Sequence, residues 1–416
     1  MNSELQHYDV VIAGAGLVGA SLALALSGAG LRIGLLEARR PEPGVRPPGH
    51  DDRAIALSAG SRIILQALGL WDRIAPEAAP ILRIHVSDRG RFGFAHLDHR
   101  REGLQALGHV VPAHVLGDVL LAAVDAAPDL ELIAPARLAD IRQDEDGVRL
   151  HCTEPGPALH ARLLVGADGT DSTVRSLLGI AVRHRDYGQS AVIANVRTAF
   201  DHGGVAYERF TEQGPLALLP LVDGRCALVW THPMEAAARR LVQPEADFLA
   251  DLQAVFGWRL GRFEAVGPRE LHPLRRLEAV EAVRPRVALI GNAAHTLHPV
   301  AGQGFNLGLR DVAALAELIV EARCREGDPG GPEVTEGYAR WRAGDQRRVL
   351  AFTELLLRTF ASPVPPVRAA RDAAMLGLDL CPPVRHLFSR LTTGRLGRLP
   401  RLARGMPLRA PQEAAG

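Results

Sequence analysis

The sequence predicts an α/β protein. It has a Rossmann-like dinucleotide-binding unit, an inserted and mostly antiparallel β-sheet domain, and a helical C-terminal region. Three observations carry this prediction. Residues 8–40 run strand, glycine-rich turn, helix, strand, acid. From about 187 to 271, short alternating runs joined by turns replace that pattern. After residue 355 the chain is broken by Pro and rich in Arg. Strand–helix alternation points to a parallel sheet, and consecutive short strands point to an antiparallel one.

The first stretch is the most specific. Residues 10–13 are apolar and β-branched at the start, and lead into Gly14-Ala15-Gly16-Leu17-Val18-Gly19. A helix over 20–27 and a second apolar run over 31–36 follow, ending in Glu37. In this pattern Gly14 permits a tight turn, Gly16 lets backbone approach a pyrophosphate, and Gly19 lets helix pack on strand. The helix start then presents free N–H groups to phosphate. Glu37 falls where a carboxylate accepts ribose hydroxyls. Residues 10–31 carry no charge, but repeated glycines break them and no basic segment precedes them, so neither a membrane span nor an export signal is expected.

Composition narrows the classes. A chain of 416 residues, 47% hydrophobic, has room for two or more packed units. A net charge of +1 argues against nucleic acid as a partner. Cys152, Cys226, Cys324 and Cys381 lie far apart, with no zinc pattern or disulfide framework, so no metal site is expected and a reducing, cytoplasmic setting fits. Every basic residue is Arg, which suggests a GC-rich bacterial genome.

Along the chain, residues 41–49 read as an exposed loop and 61–68 as a helix. Arg53 either clamps a phosphate or cofactor edge or pairs with Asp51 or Asp52. Residues 81–86 and 92–97 look like strands of a separate small sheet that joins the inserted one. Residues 109–111 and 112–123 return to strand and helix; 130–133, 136–143 and 147–151 resemble a β-meander. The strand 161–166 delivers Gly166-Ala167-Asp168-Gly169, placing Asp168 at a strand's C-terminal end, where doubly wound sheets bind ligands. Asp171 or Ser172 caps the next helix.

Residues 191–196, 205–211, 216–220 and 225–231 read as antiparallel strands, with Asp223-Gly224 as a hairpin signal, and 244–256 as a helix. Residues 286–291 form another buried strand. The loop that follows holds His295, His298, Pro299, Gly302 and Gly304, with a helix continuing through 309–321. This loop either folds back onto the first glycine motif, the preferred reading, or opens a second dinucleotide unit. Residues 387–408 interleave Leu, Phe and Arg, as a basic surface for anionic lipid or a partner would, or as a helical tail packed on the core.

GAGLVG with Glu37, GADGTDSTVR and GNAAHTLHPVAGQGFNLGLRD, in this order, resemble the FAD-dependent aromatic hydroxylases of the p-hydroxybenzoate hydroxylase fold, and within them the ubiquinone-biosynthesis branch. The likeness extends to about residue 355. It implies FAD as cofactor, NAD(P)H as electron donor and O2 as co-substrate. The reaction implied is ring hydroxylation of a polyprenylated phenol through a flavin C4a-hydroperoxide. The domains implied are 1–185 for FAD, 186–275 for substrate, 276–355 returning to FAD, and 356–416 as a basic helical region meeting a membrane's inner face or a biosynthetic complex. Gly14, Ala15, Gly16 and Gly19 would hold the pyrophosphate, and Glu37 with Ala38 the adenosine ribose. Arg53 would contact the cofactor beside the flavin, and His114 would also bind the cofactor. Asp168 would serve FAD and NAD(P)H, and Gly291-Asn292 the ribityl chain. Many members carry Gly-Asp where this chain has Gly291-Asn292. Pro299, Ala301, Gly302, Gln303, Gly304 and Asn306 would line the ring. A phenol needs a base, for which His295 and His298 are candidates, though either could simply brace the loop; His298, Pro299 and Arg53 are the expected catalytic set. A flavin reductase acting on an isoprenoid and an FAD-bound scaffold are the competing readings.

Overall fold

The computed structural model describes residues 5–40, 53–91, 94–153, 158–362 and 364–408. The expected loop over 41–49, like Asp51 and Asp52, lies outside them. Val10, Val11 and Ile12 are fully buried because their strand, Gln6–Ala13, runs through the middle of a parallel sheet covered on both faces. Beside it lie Ile33–Leu36 and then Leu130–Ile133; on the other side lie Ala158–Gly166 and Val287–Leu289. One row of this sheet joins Leu289, Gly166, Ala13, Leu36 and Ile133. Every parallel strand therefore stops at the same edge. That edge receives Gly14, Glu37, Asp168 and Gly291 from four distant parts of the chain.

The expected meander starts one strand later. Leu130–Ile133 is a parallel edge strand, and the antiparallel run is Leu138–Gln143, Val148–Cys152 and Ala158–Gly166. The helices Leu17–Leu26 and Gln303–Cys324 pack together on one face of the sheet. The loop after Val287–Leu289 returns to the first motif rather than opening a second dinucleotide unit: a side chain at Gly291 would press on Val18, 3.1 Å away.

A nine-stranded sheet stands over that edge. Its main path runs His295–Thr296, Glu270–Ala279, Val182–Thr198, Cys226–Pro233, Gly214–Pro220, Val205–Thr211, Arg83–Asp88 and Phe94–Asp98. All neighbours are antiparallel except Val205–Thr211 with Arg83–Asp88. Side chains alternate between faces. Val192, Leu216, Leu218, Leu228 and Trp230 point away, onto the helices Met234–Val242 and Glu245–Phe256. Ile193, Ala217, Leu219 and Val229 point towards the parallel sheet. The helices Pro332–Ala361, Pro365–Leu380 and Pro382–Thr392 then pack against the open side.

Candidate active site

Between the two sheets lies a cavity of about 1990 Å3, lined from both. Its floor is the parallel sheet's edge, its roof the nine-stranded sheet, and its side wall the C-terminal helices.

The floor is shaped by backbone. Gly14 has φ +101°, and a side chain there would lie 2.7 Å from the Ala167 carbonyl oxygen. At Gly19 it would collide with the Gly14 carbonyl oxygen. Gly16 differs, since a side chain there would meet nothing within 4 Å. It opens directly onto the cavity, at the start of a helix that has no side-chain cap. Free amides facing open space suit a phosphate. The Glu37 carboxylate sits alongside, accepting from the Ala15 amide at 2.9 Å and the Arg39 amide at 3.2 Å. It lines the cavity and also ties the glycine turn to the second strand. Ala38 is exposed and does not line the cavity, whereas Arg39 and Arg40 do.

Asp168 uses one oxygen to cap the next helix at the Val174 amide, 3.0 Å away, while Ser172 caps Arg175. Its other oxygen is buried without a partner among the described residues. Arg53 Nε and His114 Nδ1 are buried and unpaired in the same sense, and all three residues line the cavity. Burial lowers the Arg53 pKa while Glu270 opposes that shift. A buried polar atom left unpaired costs free energy, so this set marks where a polar ligand belongs.

The third motif lies opposite. Asn292 and Pro299 are exposed to the cavity, which Gly302, Gln303, Gly304 and Asn306 also line. Gly291 is buried beneath them, and the Ala301 side chain lies outside the described residues. Asn306 is fully spent within the protein. Its amide oxygen accepts from the Ser58 amide and Ser61 hydroxyl, and its nitrogen donates to the carbonyls of Ala56 and Gly302. It clamps the loop to the Ala54–Ser58 strand. His298 accepts the Val300 amide at Nδ1, 3.1 Å away, and burial pushes its pKa down to about 4. The ring is therefore neutral with its proton on Nε2. It braces the loop and offers the cavity a donor, so this geometry leaves no free nitrogen lone pair for a base.

Two features of the site have no counterpart in the sequence reading. Asp311, fully buried, accepts from the Gly291 amide, His295 Nε2, Arg342 Nε and Gln346 Nε2 at 2.6–3.2 Å. Burial works against its charge, but His295 and Arg342 hold the carboxyl well below its usual range. This one carboxylate anchors both ends of the 291–295 turn. The second is Glu208, whose position on the roof, between Ala206 and Phe210, makes it a cavity residue. The strand's two-residue period contains that signal, since Ala206, Glu208 and Phe210 share one face.

The C-terminal helices are two-faced. Met375, Leu378 and Phe388 line the cavity, while Leu376, Leu380, Val384 and Leu387 are exposed. Arg371 pairs with Asp88, Arg385 with Glu102, and Arg398 lies over Trp341. Leu402 and Ala403 are part of the main core, so the tail packs on the protein as one of the two readings expects.

Comparison with known proteins matches residues 7–346 to the FAD binding domain family. The chain is 39% identical over 403 residues to the ubiquinone hydroxylase UbiL of Rhodospirillum rubrum, covering 96% of this chain and 93% of that one. It is 34% identical over 378 residues to the 3-demethoxyubiquinol 3-hydroxylase of Escherichia coli, covering 90% and 95%. Its fold matches crystalline p-nitrophenol 4-monooxygenase from Pseudomonas putida, with TM-score 0.77, 22% identity, and coverage of 95% and 100%.

Proposed function

The chain belongs to the FAD binding domain family, and from that premise we propose an FAD-dependent monooxygenase that hydroxylates the ring of a polyprenylated phenol in ubiquinone biosynthesis, using NAD(P)H and O2. One observation carries this reading: a single cavity joins a phosphate-ready floor to an apolar chamber. The residues present fit the cofactor. Gly16 and the uncapped helix behind it would receive the pyrophosphate, with Gly14 and Glu37 shaping the turn. Asp168, Arg53 and His114 supply the unpaired polar atoms, and Asn292, Pro299, Gly302, Gln303 and Gly304 would border the ring. When bound, FAD supplies electron transfer from NAD(P)H and activation of O2.

The chain's own part is positioning and exclusion. The long helix Gln303–Cys324 starts at Gly302 without a side-chain cap, so its free amides favour negative charge there. The apolar roof and side wall keep water out and accept a prenyl chain. The exposed Leu376, Leu380, Val384 and Leu387, on the outer face of helices whose inner face lines the chamber, support a peripheral approach to lipid. Apolar contact from these four side chains drives it. Flotation with vesicles, before and after changing these four to Ser, tests that point; unchanged flotation removes it.

The central test incubates FAD-loaded protein, NADPH and O2 with a short-chain prenylated methoxyphenol, and seeks an added oxygen by mass spectrometry. A hydroxylated product that requires O2 is expected. A product formed equally well without O2 would favour the reductase. A protein that binds FAD but oxidises no NADPH would favour the scaffold.

A further inference from the structure

One row across the roof joins Val86, Glu208, Ala217, Val229 and Ile193, and ends at Glu270. The first five all line the cavity. Glu208 is thus a carboxyl group set in an apolar wall, flanked along its own strand by Ala206 and Phe210. Among the described residues no hydrogen bond or ion pair reaches it. Glu270, at the row's end, differs, since it meets His272 at 3.1 Å and lies near Arg53. The other ionisable groups facing the chamber from the elements around Glu208 are already engaged or too far to pair. Arg371 holds Asp88 and the carbonyls of Thr359 and Phe360. His272 holds Glu270, Arg275 reaches Asp171, and His298 accepts from Val300. His96 contacts His85, and Arg53 lies near Glu270. A carboxyl with no partner in an apolar wall weakens the fold, which makes it a candidate for function.

Resting on the hydroxylase reading above, we propose that Glu208 is the acid–base residue of the reaction, taking the proton of the substrate's phenolic hydroxyl. The phenolic O–H bond breaks, the proton moves to a Glu208 carboxylate oxygen, and the electron pair stays on the phenolic oxygen. The ring becomes electron-rich when the oxygen atom is delivered. No second reactant is needed, and the proton returns to water when product leaves.

The test uses the full chain loaded with FAD. Burial alone pushes Glu208 up to about 8. The base form is the deprotonated one, so hydroxylation of an ordinary phenol by the unaltered enzyme rises with pH and levels off above that value. Glu208→Gln is expected to bind FAD and be reduced by NADPH normally. It should hydroxylate that phenol at least about 100-fold more slowly and lose the pH limb. A fluorinated phenol, already ionised at the assay pH, should be largely spared. Glu208→Asp should keep a weakened limb, which guards against misfolding of the amide variant. Infrared difference spectra give a reading independent of turnover: a protonated-carboxyl band that titrates near pH 8 and is missing in Glu208→Gln. An unchanged limb in Glu208→Gln, equal loss on both phenols, or a band that survives the substitution overturns the proposal. An unaltered enzyme that forms no hydroxylated phenol overturns the hydroxylase reading and this inference with it. One that does, alongside an unaffected Glu208→Gln, overturns this inference alone.

Discussion

Floor and roof of the cavity are built by opposite rules. The floor spends its polar groups twice, once to hold itself and once to leave a few atoms for a ligand. Glu37, Asp168 and Asp311 all have backbone amides as partners. The roof spends fewer: along the row from Val86 to Ile193 it is aliphatic, with Glu208 standing alone among the row's cavity residues. A fixed floor suits a cofactor that stays, and an adaptable greasy roof suits a substrate that comes and goes. The contrast teaches that burial has different meanings on the two sides. On the floor the carboxylates brace backbone; in the roof row Glu208 is unpaired.

The contrast can be broken most severely at Gly19. Gly19→Ala drives a methyl into the Gly14 carbonyl oxygen, backbone against backbone, so the FAD-loaded protein should not form and flavin absorbance should be missing after purification. Asp311→Asn comes next. It removes a charge between His295 and Arg342, and should cost about 3–5 kcal/mol in denaturant unfolding. The sign with pH is also fixed. A depressed carboxyl stabilises above its unfolded value of 3.8 and loses that as pH falls below it, so acid unfolding should flatten in Asp311→Asn. Phe360→Ala removes the stack on Phe210, whose rings are 3.5 Å apart, and should cost about 3 kcal/mol by thermal unfolding while leaving FAD affinity unchanged. Gly16→Ala sharpens the comparison from the other end. With open space and ordinary backbone at that position, the FAD-free fold should shift by no more than about 0.5 kcal/mol, while FAD affinity, read by fluorescence titration, falls at least tenfold.

Most of the floor was legible in the sequence because its information is local. A glycine spacing, a following acid and an apolar run each describe one turn of backbone, and the strand ends do meet in one row. Asp311 was not legible because its four partners come from two distant segments, 291–295 and 342–346, and no local pattern marks a carboxylate as a hub. The roof was legible as strands but not residue by residue. Alternation separates two faces without saying which one looks at a ligand. It also could not reveal that Arg83–Asp88 pairs in parallel with Val205–Thr211, more than a hundred residues on. The helix Met234–Val242 escaped notice, and the mixed Leu and Arg of the tail did not show which arginines would find acids elsewhere.

Among the contacts that join the roof to the chain's last third are Asp88 with Arg371, and Phe210 on Phe360. The consequence concerns engineering by exchange. A chimaera that takes its tail from a relative inherits a wall shaped for that relative's substrate, yet leaves Asp88 facing whatever stands in place of Arg371. To carry substrate preference from one member to another, the graft must bring both halves of each contact, so the smallest exchangeable piece is discontinuous in sequence although continuous in space.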